Sequence, residues 1–188
     1  MDDSTAVLSN PFAMGLLTLL LVAAAVIDYR SYRIPNWLTV GGMAAGLACS
    51  TALSGPAYSG LLAGLGGLGA AMLVLLPMYA IRVLGAGDVK LMGMCGAFLG
   101  APATLRALLF VFVAGGIAAL AVALRRRALR RMAANLRQAT VQMMVFAAIG
   151  GQRPGDAIAG QSVGKLPYGV SICIGTLAYL AARQLAHP

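Results

Sequence analysis

Long apolar runs without charge constrain the fold of this chain more than any other feature. Residues 11–27 and 60–81 contain no charged side chain, and residues 91–124 contain only Arg106. A helix needs roughly 20 apolar residues to cross the hydrocarbon core of a bilayer. A segment in lipid must satisfy its own backbone hydrogen bonds, which favours the α-helix. The runs therefore predict an all-α, polytopic membrane protein.

The scarcity of charge excludes a water-soluble globule of this size. Soluble domains carry roughly a quarter charged residues, whereas this chain has 10% charged and 60% hydrophobic residues. The length fits one membrane-embedded domain over residues 1–188. Residues 1–10 are acidic and polar, unlike the basic start of a signal peptide, so we expect the first apolar run to be a retained helix.

The distribution of basic residues favours about six transmembrane helices. The candidate spans are residues 11–27, 37–54, 60–81, two segments of 91–124 that turn near Ala101-Pro102, and 167–185. With the N-terminus outside, six spans put every lysine and arginine on the inner side except Arg106 and Arg183. Five spans would move the cluster at 125–131 to the side opposite Arg30 and Arg33. Cytoplasmic loops are enriched in Lys and Arg, so six spans are preferred.

The excess of basic residues indicates contact with anionic membrane lipids and no nucleic-acid partner. The formal net charge is +9, and the basic residues lie between apolar runs. The segment 125–137 is either an amphipathic helix on the cytoplasmic leaflet or a stop-transfer charge cluster. Glycines crowd the third span, where the Gly60-xxx-Gly64 spacing predicts close helix packing. The three cysteines lie singly in apolar runs, which predicts buried packing and no zinc site or disulfide.

Only five carboxylates are present, all aspartates, so each is considered individually. Asp2 and Asp3 belong to the polar N-terminal tail, and Asp156 lies in a sequence typical of a turn. Asp28 ends the first span and Asp88 stands just before the fourth, so six spans bring both to the cytoplasmic membrane edge. Ionisable groups at membrane depth are costly and tend to mark function. Asp28 and Asp88 are therefore the candidate catalytic residues.

Two neighbouring carboxylates share a proton, which suits them to peptide hydrolysis with an activated water. Several alternatives use the same acids. Asp88 is an N-cap of the following helix, Asp28 pairs with Arg30 or Arg33, or the two form a relay in a small proton- or ion-coupled transporter. Asp156 is also a candidate to replace one member of the pair. Gly85 and Gly87 permit positive φ and close approach of an extended substrate.

Three segments resemble the signature segments of the prepilin peptidases, in the expected order. They are Ile27-Asp-Tyr-Arg-Ser-Tyr-Arg-Ile-Pro-Asn-Trp-Leu-Thr39, Gly85-Ala-Gly-Asp-Val-Lys-Leu91 and Lys165-Leu-Pro-Tyr-Gly-Val170. The resemblance implies an aspartic-type endopeptidase with the Gly-x-Gly-Asp signature. Its members remove the short basic leader from type IV prepilin and pseudopilin precursors at the cytoplasmic face of the bacterial inner membrane.

The resemblance also implies roles for individual residues. Asp28 and Asp88 are the catalytic pair, and Gly85 and Gly87 shape the site. Three further residues match the family pattern as site-shaping or substrate-binding positions, namely Lys90, Pro35 and Asn36. No cofactor is implied, because aspartyl hydrolysis needs only water and the pair of acids.

One departure from the larger, bifunctional prepilin peptidases narrows the expected activity. Those members carry a cysteine-rich insert after the first span and also methylate the mature N-terminus, whereas residues 28–36 are too few and contain no cysteine. Methyltransferase activity is therefore not expected. The short form most resembles peptidases of the tight-adherence (Flp-type) pilus systems, which implies a small pilin precursor as substrate. A non-catalytic membrane component of a pilus or secretion machine is the remaining alternative.

Overall fold

Every regular element in the described part of the chain is an α-helix, which confirms the predicted fold class. The computed structural model describes residues 4–80, 83–125, 137, 140, 141, 144 and 167–186. Its helices are α1 (Ser4–Ser9), α2 (Pro11–Ser31), α3 (Asn36–Leu53), α4 (Ala57–Ala80), α5 (Ala86–Leu99), α6 (Ala101–Arg125) and α7 (Tyr168–Ala186). Helices α2 to α7 follow the six predicted segments closely, whereas the short α1 in the polar N-terminal stretch was not predicted.

Four of these helices, α2, α4, α6 and α7, are long and apolar enough to cross a membrane. Their outward faces carry large exposed apolar side chains such as Leu73 and Leu109, a surface that only lipid accommodates over this extent. Helix α3 is about 27 Å long and α5 about 21 Å, at 1.5 Å per residue, and neither is among the four. The protein is therefore a multi-pass membrane protein, while the count of six spans stays a prediction.

Helix α5 lies at the centre of the bundle. Every residue from Leu91 to Gly100 is buried, and α5 contacts α2, α3, α4, α6 and α7. A central helix needs no outward apolar face and no full bilayer length, because protein surrounds it on all sides. This burial holds the first turn of α5, which carries Asp88, in a defined place.

Small residues allow α4 to lie against the backbones of its neighbours. Gly60, Gly64 and Gly67 share one face of α4, directed at α3 and α5, and a Cβ on Gly67 would overlap the carbonyl oxygen of Gly96. Gly69 faces open space instead. Close backbone approach is the usual route to tight helix packing in lipid, so the predicted glycine packing is confirmed for one face of α4.

The helix ends near the site have identifiable local causes. Helix α2 begins with Pro11 after Asn10, whose side-chain oxygen accepts the amides of the first turn. Its C-cap is Tyr32, which adopts the left-handed conformation (φ 51°) and donates its N–H to the carbonyl of Asp28. Gly100, with φ 73°, separates α5 from α6, a conformation that glycine adopts without strain. Asp28 consequently lies on a helix, inside its last turns, and the hairpin after it is shorter than predicted.

Candidate active site

Four helix ends meet at one end of the bundle and bring the predicted site residues together. The last turns of α2 carry Asp28, the first turn of α5 carries Asp88, and the first turns of α3 and α7 lie beside them. Hydrogen bonds join these elements: the Gly169 amide of α7 donates to Asp28, and Lys90 of α5 donates to Asn36 of α3. The site is thus assembled from segments distant in the sequence.

Asp28 is buried, with only 5% of its surface exposed. Its Oδ2 accepts a hydrogen bond of 2.8 Å from the Gly169 N–H in the first turn of α7. The first amides of a helix lack partners within it and carry the positive end of its dipole. Arg30 and Arg33, in contrast, are exposed. The partner of Asp28 is therefore the start of α7, and not one of these arginines as one hypothesis held.

Asp88 lies inside the first turn of α5 rather than before the helix. The N-cap is Gly85, and Asp88 Oδ2 accepts the Gly85 N–H at 3.1 Å. This is the position from which an acid closes a capping box, three residues after the cap. The alternative that Asp88 is the N-cap of α5 is therefore wrong, because Gly85 holds that position. The Asp88 side chain nevertheless accepts a hydrogen bond from one amide at the helix start.

Asp88 is affected both by burial and by the charge of Asp28. Burial raises the pKa of Asp88 from its usual 3.8 to about 6, the Gly85 hydrogen bond opposes this shift, and the charge of Asp28 adds to it. Like charges disfavour simultaneous ionisation, so this effect is expected for carboxylates that share a site. The charge of Asp88 also reaches the Tyr168 side chain, next to Gly169. The fold thus gathers Asp28, Asp88 and the start of α7 into one site.

Gly85 and Gly87 do not adopt the positive φ that glycine permits. Gly100 is the positive-φ glycine in the described ranges, and Gly85 has φ −78°. The physical reason is that Gly85 is the extended N-cap of α5 and Gly87 lies in its first turn, and both positions take negative φ. Gly87 lies against Ile34, with space for a methyl group, and a Cβ on Gly85 would come within 3.1 Å of Asp88 Oδ2. The missing side chain of Gly85 therefore leaves space beside Asp88, whereas that of Gly87 leaves space beside Ile34.

The other site residues predicted from the sequence lie where α3 and α5 begin. Lys90 Nζ donates to Asn36 Oδ1 at 2.9 Å, and Pro35 is the residue that precedes α3. This bond ties the segment after Asp28 to the helix that carries Asp88. Asp156 and Lys165 lie outside the described residues. Within the described ranges, no three His, Cys, Asp or Glu side chains come together as a metal site requires.

Sequence reasoning missed the part that α7 has in the site. Gly169 contacts Asp28, and the ring of Tyr168 lies over Gly115 of α6. Tyr168 and Gly169 both belong to the third segment that resembles a family signature. That resemblance is the sequence signal that pointed to this part of the chain. The contact between Gly169 and Asp28 links positions 141 residues apart, which no local pattern reveals.

The raised pKa of Asp88 makes stability depend on pH in a defined direction. An acid whose pKa is higher in the folded state than in the unfolded chain stabilises the fold at low pH, and this stability is lost between about pH 4 and pH 6. We expect Asp88→Asn to be more stable than the wild type at pH 7 by about 1–3 kcal/mol, and equally stable at pH 4. Unfolding in detergent at both pH values measures the difference. An equal gain at pH 4 would contradict the prediction.

Comparison with known proteins assigns the chain to a family. The profile of the type IV leader peptidase family matches residues 15–120, a range that includes Asp28 and Asp88. The curated proteins and the solved structures each contain no match. The matched range covers more than half of the chain and contains the elements that bring the two aspartates together. This chain therefore belongs to the type IV leader peptidase family and is a multi-pass membrane peptidase.

Proposed function

We propose that the protein is an aspartic-type endopeptidase that removes the basic leader from type IV pilin-like precursors, with Asp28 and Asp88 as its catalytic pair. The observation that carries the proposal is the placement of these two acids at one end of the bundle, where the charge of Asp28 contributes to the raised pKa of Asp88. Family membership supports a peptidase but does not identify the reacting groups. The acids are the groups in this site that can exchange protons with water and a peptide carbonyl near neutral pH.

The proposed reaction divides the work between an ionised and a protonated carboxyl group. The ionised one takes a proton from a water molecule as its oxygen attacks the peptide carbonyl carbon, and the protonated one donates its proton to the carbonyl oxygen. Collapse of the tetrahedral intermediate breaks the C–N bond, and the leaving amine takes up a proton from the pair. In the proposed mechanism the two acids titrate as a unit, because ionisation of one carboxyl group disfavours ionisation of its neighbour.

The charge around the site supports an active site at the cytoplasmic face of the bacterial inner membrane. Arg30 and Arg33 follow Asp28 and are exposed, and Lys90 follows Asp88. Basic residues concentrate on the cytoplasmic side of membrane proteins, where they face anionic lipids. The exposed aromatic side chains of Tyr29 and Trp37 suit the same interfacial position.

The short connection between α2 and α3 supports a small Flp-type pilin precursor as the substrate. Helix α2 ends at Ser31 and α3 begins at Asn36, which leaves no space for a cysteine-rich insert at this point. We accordingly propose a peptidase without methyltransferase activity, organised as one domain over residues 1–188.

The remaining predicted residues are proposed to shape the site. Gly85 and Gly87 keep the approach to Asp88 open, because neither presents a side chain there. The Lys90–Asn36 hydrogen bond, next to Pro35, holds the start of α3 against α5. These contacts support a positioning role for Lys90 and Asn36 in preference to direct substrate binding.

The test is cleavage of a prepilin in the membrane. The chain is co-expressed with a small Flp-type prepilin, and the precursor mass is followed by mass spectrometry together with the mature N-terminus. We expect loss of the basic leader only when the chain is present. If several prepilins of different types remain intact at normal membrane levels of the protein, the proposed function is wrong. Acid-dependent proton flux in vesicles would then point to the transporter alternative.

A further inference from the structure

Gly169 holds one oxygen of Asp28 through its backbone. The Gly169 N–H, in the first turn of α7, donates to Asp28 Oδ2 at 2.8 Å, and this bond is buried. An amide at a helix start is fixed in direction by the helix, so it holds the carboxylate in one orientation. A buried carboxylate without such a donor would lose much of its hydrogen bonding.

The absent side chain of Gly169 is as important as its amide. A Cβ at this position would lie 2.8 Å from Asp28 Oδ2 and 3.1 Å from both Cβ and Cγ of Asp28. Carbon atoms do not pack this closely, so any side chain at residue 169 must displace the carboxyl group. The volume that a side chain would fill is the volume that Asp28 occupies.

The start of α7 is itself held firmly by α6. The ring of Tyr168 lies against Gly115, and Gly175 packs against the backbone of Val111. These two contacts on α6 bracket Gly169 along α7, so α7 has little freedom to retreat from Asp28. A side chain added at Gly169 would therefore move the carboxylate more readily than the helix.

We propose that Gly169 is the positioning residue of Asp28, and that α7 is thereby a functional part of the catalytic site. The amide of Gly169 orients the carboxylate, and its missing side chain reserves the space for it. Gly169 lies beyond the range 15–120 that matches the family profile. The assignment rests on the proposed function for its catalytic consequence, while the contact itself stands independently of it.

The first test compares the kinetics of Gly169→Ala with those of a matched glycine variant. Gly116→Ala is the control, because Gly116 is on α6 and has nothing within 4 Å of an added Cβ. We expect Gly169→Ala to lower kcat about 100-fold, the loss that a misplacement of about an ångström causes, with KM within about twofold of wild type. Gly116→Ala should match wild type. A wild-type kcat per folded Gly169→Ala molecule would overturn the proposal.

The second test needs no activity and covers the case in which Gly169→Ala folds poorly. Thermal unfolding in detergent is measured for Gly169→Ala, Asp28→Ala and the double variant. We expect Gly169→Ala to lower Tm by several degrees in the wild-type background and by clearly less in the Asp28→Ala background, because that background lacks Oδ2 and Cγ and keeps only the Cβ at 3.1 Å. An equal loss in both backgrounds would overturn the proposal.

The two tests separate this proposal from the proposed function. If the wild type cleaves no prepilin, the peptidase assignment to this pair fails, while the unfolding cycle still decides whether Gly169 positions Asp28. If the wild type cleaves and both tests give wild-type behaviour for Gly169→Ala, only the positioning role fails.

Discussion

Asp28→Asn and Asp88→Asn are each expected to reduce leader cleavage by about 10³-fold or more, the scale of a lost general acid or base. Asparagine has nearly the size of aspartate, and its amide oxygen can still accept the Gly169 or Gly85 N–H. It cannot take a proton from water or donate one as a carboxylic acid does. The substitution therefore removes the chemistry and retains the packing. Cleavage rates at matched membrane levels, followed by precursor mass, measure the effect.

Asp156→Asn is the matched control for the catalytic pair. It makes the same chemical change in an acid that the sequence assigns to a turn, so cleavage should continue at the wild-type rate. Normal cleavage by either Asp28→Asn or Asp88→Asn would show that the pair is wrong. Loss of cleavage in Asp156→Asn would then identify the acid that replaces it.

Gly67→Ala is expected to destabilise the protein by about 1–3 kcal/mol, the cost of overpacking a tight interface. Its Cβ would meet the carbonyl oxygen of Gly96 and the backbone of Gly100, and backbone cannot turn aside as a flexible side chain can. Helices α4 and α5 must then separate at the centre of the bundle. Thermal unfolding in detergent should show a midpoint lower by roughly 3–10 °C.

Gly69→Ala is the control on the same helix. Gly69 has nothing within 4 Å of an added Cβ, and alanine favours a helix over glycine by about 1 kcal/mol. This variant should be as stable as the wild type or slightly more stable. Equal destabilisation of the two variants would indicate an effect of α4 itself and would contradict the packing explanation.

The membrane fold could be predicted because the relevant signals are local. Apolar length, scarcity of charge and the break near Ala101-Pro102 lie within single segments, and helices α2 to α7 follow them. The two acids could be selected because they are so few and because both lie at the ends of apolar runs. Side-chain chemistry and sequence position suffice for such inferences.

Sequence reasoning was incomplete where the conformation or contacts of a residue depend on its neighbours along the helix or on adjacent helices. The start of α5 at Ala86 gives Gly85 and Gly87 negative φ, so the positive φ that glycine permits is not used there. Asp88 enters the helix for the same reason. Helix α1 forms in a polar stretch, where Val7 is buried against the bundle.

The sequence by itself determined that the chain is helical, crosses a membrane and offers Asp28 and Asp88 as the acids for chemistry. Only the tertiary structure decided what surrounds these acids. The amide that holds Asp28 comes from Gly169, 141 residues away, and the charge that helps to raise the pKa of Asp88 comes from another helix. Hydropathy and charge are properties of each segment, whereas hydrogen-bond partners and electrostatic neighbours exist only after the helices have packed together.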